Sequence, residues 1–471
     1  MPDTKPNVII FFTDQQRHDS TGLHGNPLEL TPNFDRLARA GTHVAHSFTC
    51  QPVCGPARAC LQTGTYATTT GCWRNGIAMP TDRERFPTLA SCFSEAGYRT
   101  GYIGKWHLAG KEGRATGEER GPVKASHRGG YQDWLAAEAL EFSVDEYHTV
   151  LYDNDNQPHH LPGYRVDACT DAAIRYVDAH KAEPFFLMVS YIEPHHQNDV
   201  DDYPPPVGYR ERYTGRWTPP DLAALPAWRD DDNRAGGSTH AHLGGYWGMV
   251  KRLDEALGRL VDALISLGQL ENTIILFTSD HACHFKTRNA EYKRSCHDSS
   301  IRVPTMLHGP GFMGGGELGQ LVSLVDLPPT LLEACGLEVP ATMQGRSVLP
   351  LLRREPEATA SWPEEVFVQI SESHTGRAVR TKRWKYAVVA DDPDDHGQAS
   401  VYREALLYDL AYDPHELTNL VNVASHDRVR EVMRGRLLRR MAEAGEPQPR
   451  VVEAETAGGG QRRVEEAEAL G

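Results

Sequence analysis

Asn7-Val8-Ile9-Ile10-Phe11-Phe12-Thr13-Asp14-Gln15 is an apolar, β-rich run that ends abruptly on an acid. Because it lacks polar alternation, it reads as a strand covered on both faces, as in a parallel sheet between helices. Thr273 to Ser279 repeats the pattern and closes on Asp280-His281. Arg99 to Gly104 and Phe185 to Ser190 are further buried strands. Helical segments alternate with them. Thr31-Pro32 opens a helix through Leu37 with a cap and a first-turn proline, Pro87 to Glu95 forms another, and Thr239 to Gly268 is a long amphipathic one. In the last, Trp247, Val250, Leu253, Leu257, Leu260 and Leu264 recur at three- and four-residue spacing. The prediction is an α/β fold: a large, mostly parallel but mixed sheet sandwiched by helices.

At 471 residues the chain exceeds what one core usually supports. The texture changes after about Glu355: Val366 to Ile370 and Arg377 to Val389 read as antiparallel strands, followed by a helix near Arg428 to Ala444. This predicts a main unit over 1–355 and a smaller C-terminal α+β unit with a short antiparallel sheet over 356–445. Residues 446–471, charged and glycine-bearing, read as a flexible tail. Asn198 to Gly237, rich in Pro, Asp and Arg without a period, reads as a surface insertion.

A net charge of -15 argues against nucleic acid or an anionic membrane as partner, since both require an extended basic surface. It leaves room for a small anionic substrate in a locally cationic pocket. The apolar runs are too short to span a bilayer. The N-terminus shows no secretory pattern, and the 9 cysteines have neither a paired framework nor a CxxC spacing. The expectation is a cytoplasmic protein with reduced thiols. The sequence is compatible with a homo-oligomer.

In an open α/β sheet, ligands bind beyond the carboxyl ends of the strands, so Asp14 and Asp280 are expected to meet at one site. With Gln15 and His281 they offer oxygen and nitrogen ligands to one divalent cation. Alternatively, each acid merely caps a following helix. Cys54-Gly55-Pro56-Ala57-Arg58 looks like a loop entering a helix, whose first amides and Arg58 suit an oxyanion. Cys54 can equally be a small buried hydrophobe.

Cys54-x-Pro56-x-Arg58 matches the signature of the formylglycine-dependent (type I) sulfatases of the alkaline phosphatase superfamily. Gly104-Lys105-Trp106-His107 resembles that family's second signature. Lys293 followed by Asp298-Ser299-Ser300-Ile301-Arg302-Val303-Pro304 resembles a third region. Thr31-Pro32-Asn33-Phe34-Asp35-Arg36-Leu37, Val325-Asp326-Leu327-Pro328-Pro329-Thr330, and Tyr408-Asp409-Leu410 with Asp413-Pro414 are similar to its framework segments. The likeness runs in order along nearly the whole chain.

The resemblance implies that a formylglycine-generating enzyme converts Cys54 to formylglycine, whose hydrate attacks the sulfate and then expels it. It implies one divalent cation on Asp14, Gln15, Cys54, Asp280 and His281. Arg58, Lys105 and Lys293 would neutralise the sulfate oxygens, and His107 would steady the diol. His195 would protonate the departing alcohol, with His196 beside it as an alternative. Asn75, His196, His297, Arg302 and His374 are the substrate-binding candidates. The bland readings are a solvated charge for Lys293, a structural histidine for His107 and a turn residue for Asn75.

Gln15 stands where many members have a second aspartate, and His281 where many have asparagine. This weakens the case for calcium and strengthens that for manganese. The set is similar to the branch containing phosphonate monoester hydrolases and some sugar sulfatases. The expected substrate is a sulfate ester, with a sulfated carbohydrate favoured by the polar pocket edges. Rival readings are a phosphonate monoester or phosphodiester hydrolase with the same nucleophile, and a non-catalytic binder of sulfated ligands. A serine or threonine phosphatase is set aside because Pro52-Val53-Cys54-Gly55 carries no hydroxyl there.

Overall fold

A computed structural model describes residues 5–140, 146–225, 239–314 and 316–455. Its centre is a 10-stranded sheet. Asn7–Thr13 lies parallel between Thr273–Ser279 and Phe185–Ser190, with Arg99–Lys105 and Asp133–Ala137 continuing the parallel run. The antiparallel members are Met306–His308 on one side and Thr149–Tyr152 with Pro158–Leu161 on the other. The sheet is therefore mixed around a parallel core, as the unbroken apolar runs predict.

Alternate residues of the central strand feed two cores. Val8, Ile10 and Phe12 face the helices Cys54–Thr63, Leu89–Glu95 and Leu327–Ala334. Ile9 and Phe11 face Pro32–Ala40, Arg165–His180 and Thr239–Ser266. Phe11 stacks on Phe277 at 5.1 Å. Burial of each such side chain contributes about 1.5–3 kcal/mol, which holds the strand ends in fixed register.

Thr31 occupies the cap position of Pro32–Ala40 but does not cap it. Asp254, from the long helix, instead accepts the N–H groups of Asn33 at 3.1 Å and Phe34 at 2.8 Å. The helix pair is thus pinned by a tertiary bond that local sequence does not announce.

A second sheet of five strands follows, with Glu365–Ile370, Gly376–Thr381, Trp384–Val389 and Val401–Asp409 antiparallel. Phe367, Val379, Tyr386 and Leu407 pack with Met433, Leu437 and Met441 of helix Asp427–Glu443, in one continuous core with Val8 and Ile10.

Two sequence expectations are revised. The stretch predicted as a loose tail begins with buried Glu446, paired to Arg377 at 2.8 Å, and Arg450–Val452 adds a parallel strand beside Val401–Asp409. The rest of that tail, 456–471, lies outside the described residues. The insertion after Asn198 contains short helices at Tyr209–Tyr213 and Pro220–Ala224 and is anchored by fully buried Tyr203; its portion at 226–238 lies outside the described residues. Among the described residues, no helix is long and apolar enough to cross a membrane.

Candidate active site

Thr13 and Ser279 are register partners on adjacent parallel strands, so the next residues, Asp14 and Asp280, emerge side by side. Both are fully buried. The Gln15 N–H donates to Asp280 Oδ1 at 3.1 Å, tying the two strand ends together.

Cys54 is the first residue of the buried helix Cys54–Thr63. Its sulfur lies 3.7 Å from Asp14 Oδ1 and 3.3 Å from His281 Nε2. Asn75 Oδ1 accepts the Gly55 N–H at 2.9 Å and so holds the first helical turn. One turn on, Arg58 donates to Asp14 Oδ2 at 2.9 Å and to Ser190 Oγ at 2.7 Å. Lys105, at the end of its strand, donates to the same Asp14 oxygen at 2.6 Å.

Across the sulfur, Lys293 Nζ reaches Cys54 Sγ at 2.7 Å and His195 Nε2 at 3.0 Å. The other ring nitrogen of His195 bonds the His196 carbonyl, which leaves Nε2 as the acceptor in neutral imidazole. His107, held at φ 59 with its N–H on the Glu138 carbonyl, hydrogen-bonds Cys54 with its side chain.

Charge accounts for the local protonation. Burial raises the Asp14 carboxyl and so does the Cys54 charge, but Lys105, His195 and Arg58 bring it net well below the usual carboxylate range. Asp280 is pushed up to about 7 by burial and by Asp14. Burial would also raise the Cys54 thiol, yet Lys105, Lys293 and His281 bring it well below its ordinary value. His195 is lowered, first by burial and then by Lys293.

The donor set fits a divalent cation. Asp14, Cys54, Asp280 and His281 each offer one ligand atom, all within 4.8 Å of one another. His281 Nδ1 is engaged by the Ala282 carbonyl at 3.0 Å, so Nε2 presents its lone pair to the cluster. Among the described residues, Asp280 Oδ2 has no hydrogen-bond partner and only a 3.4 Å contact with Arg58 Nε. Two adjacent buried carboxylates with an idle oxygen are an arrangement a cation completes. Gln15 lines the cleft with its Oε1 accepting the His196 N–H at 2.9 Å.

Gln15, Cys54, Asn75, His107, His195 and Lys293 face a cleft of about 160 Å³. Larger hollows of about 600 and 680 Å³ lie over the small sheet, away from this cluster. Arg58 and Lys105 do not line the cleft; they grip Asp14 behind it. His196 lines the cleft wall, stacked on Tyr292 at 4.1 Å and 3.0 Å from Asp201, while His195 is the histidine that faces Lys293. Three substrate-binding candidates are not brought to the cleft. His297 is buried between Ser295 and Tyr408, Arg302 donates to the Ala45 carbonyl, and His374 lies beyond Ser373. Sequence reading missed Glu119, Glu291 and Arg294 at the rim, and Glu372 behind it. Only Arg294 had a signal, its position beside Lys293.

A family model described as Sulfatase matches residues 6–337, and one described as N-sulphoglucosamine sulphohydrolase, C-terminal, matches 291–443. The chain is 29% identical over 94% of its length to the Ulvan-active sulfatase of Formosa agariphila, covering 82% of that protein. It is 30% identical over 94% of its length to the uncharacterized sulfatase YidJ of Escherichia coli, covering 88% of it. The crystal structure of a phosphonate monoester hydrolase of Agrobacterium radiobacter superposes with a TM-score of 0.70 at 25% identity, over 93% of this chain and 96% of that one.

Proposed function

The chain belongs to the sulfatase family of the alkaline phosphatase superfamily and is a sulfuric ester hydrolase, and we propose that Cys54, matured to formylglycine, is its nucleophile. The observation that carries this reading is the placement of Cys54 Sγ against Asp14, His281 and Lys293 at once.

Asp14, Gln15, Asp280 and His281, with the oxidised Cys54 side chain, are the residues that would hold one divalent cation, Ca2+ or Mn2+. When bound, such an ion lowers the pKa of a hydroxyl and polarises the sulfate. Lys105 and Arg58 neutralise Asp14 Oδ2 and thereby leave Oδ1 aimed into the site. Lys293 supplies positive charge where the sulfate oxygens gather, and His107 orients the Cys54-derived hydroxyls. His195 and Lys293 share a hydrogen bond at the cleft, so together they hold a proton for the departing alcohol.

The substrate proposed is a sulfated carbohydrate. The similarity to a C-terminal model named for N-sulphoglucosamine supports it. So does a rim of Glu119, Asn198, Glu291 and Arg294, which suits hydroxyl groups. A formylglycine-generating enzyme is the maturation partner this reading requires. A division into a catalytic unit over 1–355 and a smaller one over 356–445, and a cytoplasmic location suggested by the cysteine pattern, belong to the same proposal; fractionation of the native host tests the location.

The second reading is a phosphonate monoester or phosphodiester hydrolase, supported by the Agrobacterium likeness. Sulfate monoesters and phosphodiesters present the same single negative charge to Lys293. Comparing kcat/KM for a sulfated monosaccharide, an aryl sulfate and a phosphodiester decides between them. The sulfated sugar should lead, and a clear preference for the diester would overturn the first reading.

A further inference from the structure

The loop Ser371–Thr375 joins the first two strands of the small sheet, yet two residues that it contacts, Asn75 and Arg294, line the cleft of the large one. Ser371 Oγ accepts from Gln51 Nε2 at 2.7 Å, and Ser373 Oγ donates to the Arg294 carbonyl at 2.7 Å. Between them, Glu372 Oε1 accepts the Asn75 N–H at 2.6 Å, and its Oε2 pairs with the Arg294 guanidinium. Glu372 holds φ 71, a left-handed conformation that a non-glycine residue keeps only where its surroundings dictate it.

Each partner of Glu372 is one step from the reacting centre. Asn75 Oδ1 accepts from Gly55, the residue after Cys54. Arg294 follows Lys293, whose Nζ lies at Cys54 Sγ and His195 Nε2. Glu372 itself does not line the cleft.

We infer that Glu372 is a positioning residue: its one carboxylate couples the Asn75 loop to the Lys293 segment and so sets the alignment of Cys54 with Lys293. One oxygen serves the nucleophile side and the other the cationic side. The small sheet thereby acts on the reaction although it contributes no lining residue through this loop. This inference rests on the reading of Cys54 and Lys293 as reacting groups.

The test compares Glu372→Ala, Glu372→Gln, Arg294→Met and the Glu372→Gln/Arg294→Met double variant in the full chain. Each is assayed on whichever ester, sulfate or phosphodiester, the unaltered enzyme turns over faster. Failure of the sulfatase reading then appears in the unaltered enzyme, and failure of the clamp only in the variants. Misplacement of reacting groups by about 1 Å costs up to about a hundredfold. Glu372→Ala should lower kcat about 10- to 100-fold with KM changed less than about threefold. Glu372→Gln should lose less, because its amide oxygen still accepts the Asn75 N–H. Once Arg294 is Met, Glu372→Gln should add nothing further. If Cys54 is found as a thiol, the same ordering is read from its alkylation rate by iodoacetamide, which depends on Lys293 standing at the sulfur. Unchanged kcat and alkylation in Glu372→Ala, or full additivity in the double variant, would overturn the clamp. A loss that tracks falling Tm equally in the Ala and Gln variants would also overturn it.

Discussion

The Lys293 ammonium donates to the Cys54 sulfur at 2.7 Å, joining two residues 239 positions apart in the chain. The sulfur sits on the first turn of a helix packed under the sheet, and the ammonium on a loop beyond a strand's carboxyl end. In the proposed mechanism Lys293 meets charge common to all sulfate esters, so removing that cation should affect every substrate. Lys293→Ala is expected to lower kcat/KM about 10²- to 10³-fold on aryl sulfates and at least as much on alkyl sulfates, where it also shares the leaving-group proton with His195. A loss confined to alkyl sulfates would move Lys293 from charge stabilisation to proton delivery alone.

His195 should behave differently. Its Nε2 bonds Lys293 at 3.0 Å, and the proposed mechanism has this pair protonate the departing oxygen. His195→Asn is expected to cost about 10²- to 10⁴-fold on alkyl sulfates and much less on an aryl sulfate with a good leaving group. A steeper dependence of rate on leaving-group pKa in the variant is the measurement; an unchanged slope would remove His195 from this step.

Metal removal gives a third expectation. Dialysis against a chelator should abolish turnover and lower Tm, since Arg58 and Lys105 balance Asp14 but the adjacent buried Asp280 carboxylate then loses the cation that would complete the pair. Ligand at about a thousand times its Kd stabilises a fold by about 4 kcal/mol, so readdition should restore both properties. His281→Asn should shift the preferred ion from Mn2+ toward Ca2+ by replacing a nitrogen donor with oxygen. Full activity after exhaustive chelation would contradict the metal assignment.

Asp254 offers a stability prediction outside the site. Burial pushes its carboxyl up to about 6 from the ordinary 3.8, although it accepts the Asn33 and Phe34 N–H groups. Because the folded value is the higher one, the folded state holds this proton better. Its stabilising effect is complete below the unfolded value and is lost as pH rises to about 6, a change of about 3 kcal/mol. Asparagine does not titrate. The Tm deficit of Asp254→Asn should therefore be largest near the acid end and shrink by neutral pH; a deficit that grows instead would show that the ionised carboxylate is the better cap.

Glu446 tests how firmly the end of the small sheet is held. It accepts from Arg377 Nε at 2.8 Å, with both side chains 1% exposed. Glu446→Ala strands a buried guanidinium and should cost about 3–5 kcal/mol, read as a lower Tm. Loss of the exposed Arg428–Glu431 pair should leave Tm unchanged.

Much of this was legible in the chain. Val8 to Thr13 and Thr273 to Ser279 announce a parallel core because both faces are apolar, and their terminal acids mark the ligand-binding edge. Cys54, Arg58, Lys105, His107 and Lys293 stand in motifs, and the structure brings them and His195 together around Asp14 and Asp280. Contacts set by tertiary packing were not legible. Asp254 caps a helix 220 positions away, Glu372 reaches Asn75 across 297 positions, and Glu446 gains its partner only through the folded sheet. His297 and His374 have residue types suited to a site, but whether a side chain faces the cleft depends on the second sheet's packing. Arg58 and Lys105 carry the right charge, yet local sequence does not reveal that both are spent on Asp14.

The most direct measurement is the mass of the Cys54 peptide from protein purified from its native host, with metal analysis on the same sample. The expected result is the aldehyde or its hydrate at Cys54 and one divalent ion per chain. An unmodified Cys54 thiol in a preparation that hydrolyses sulfate esters would contradict the proposed nucleophile.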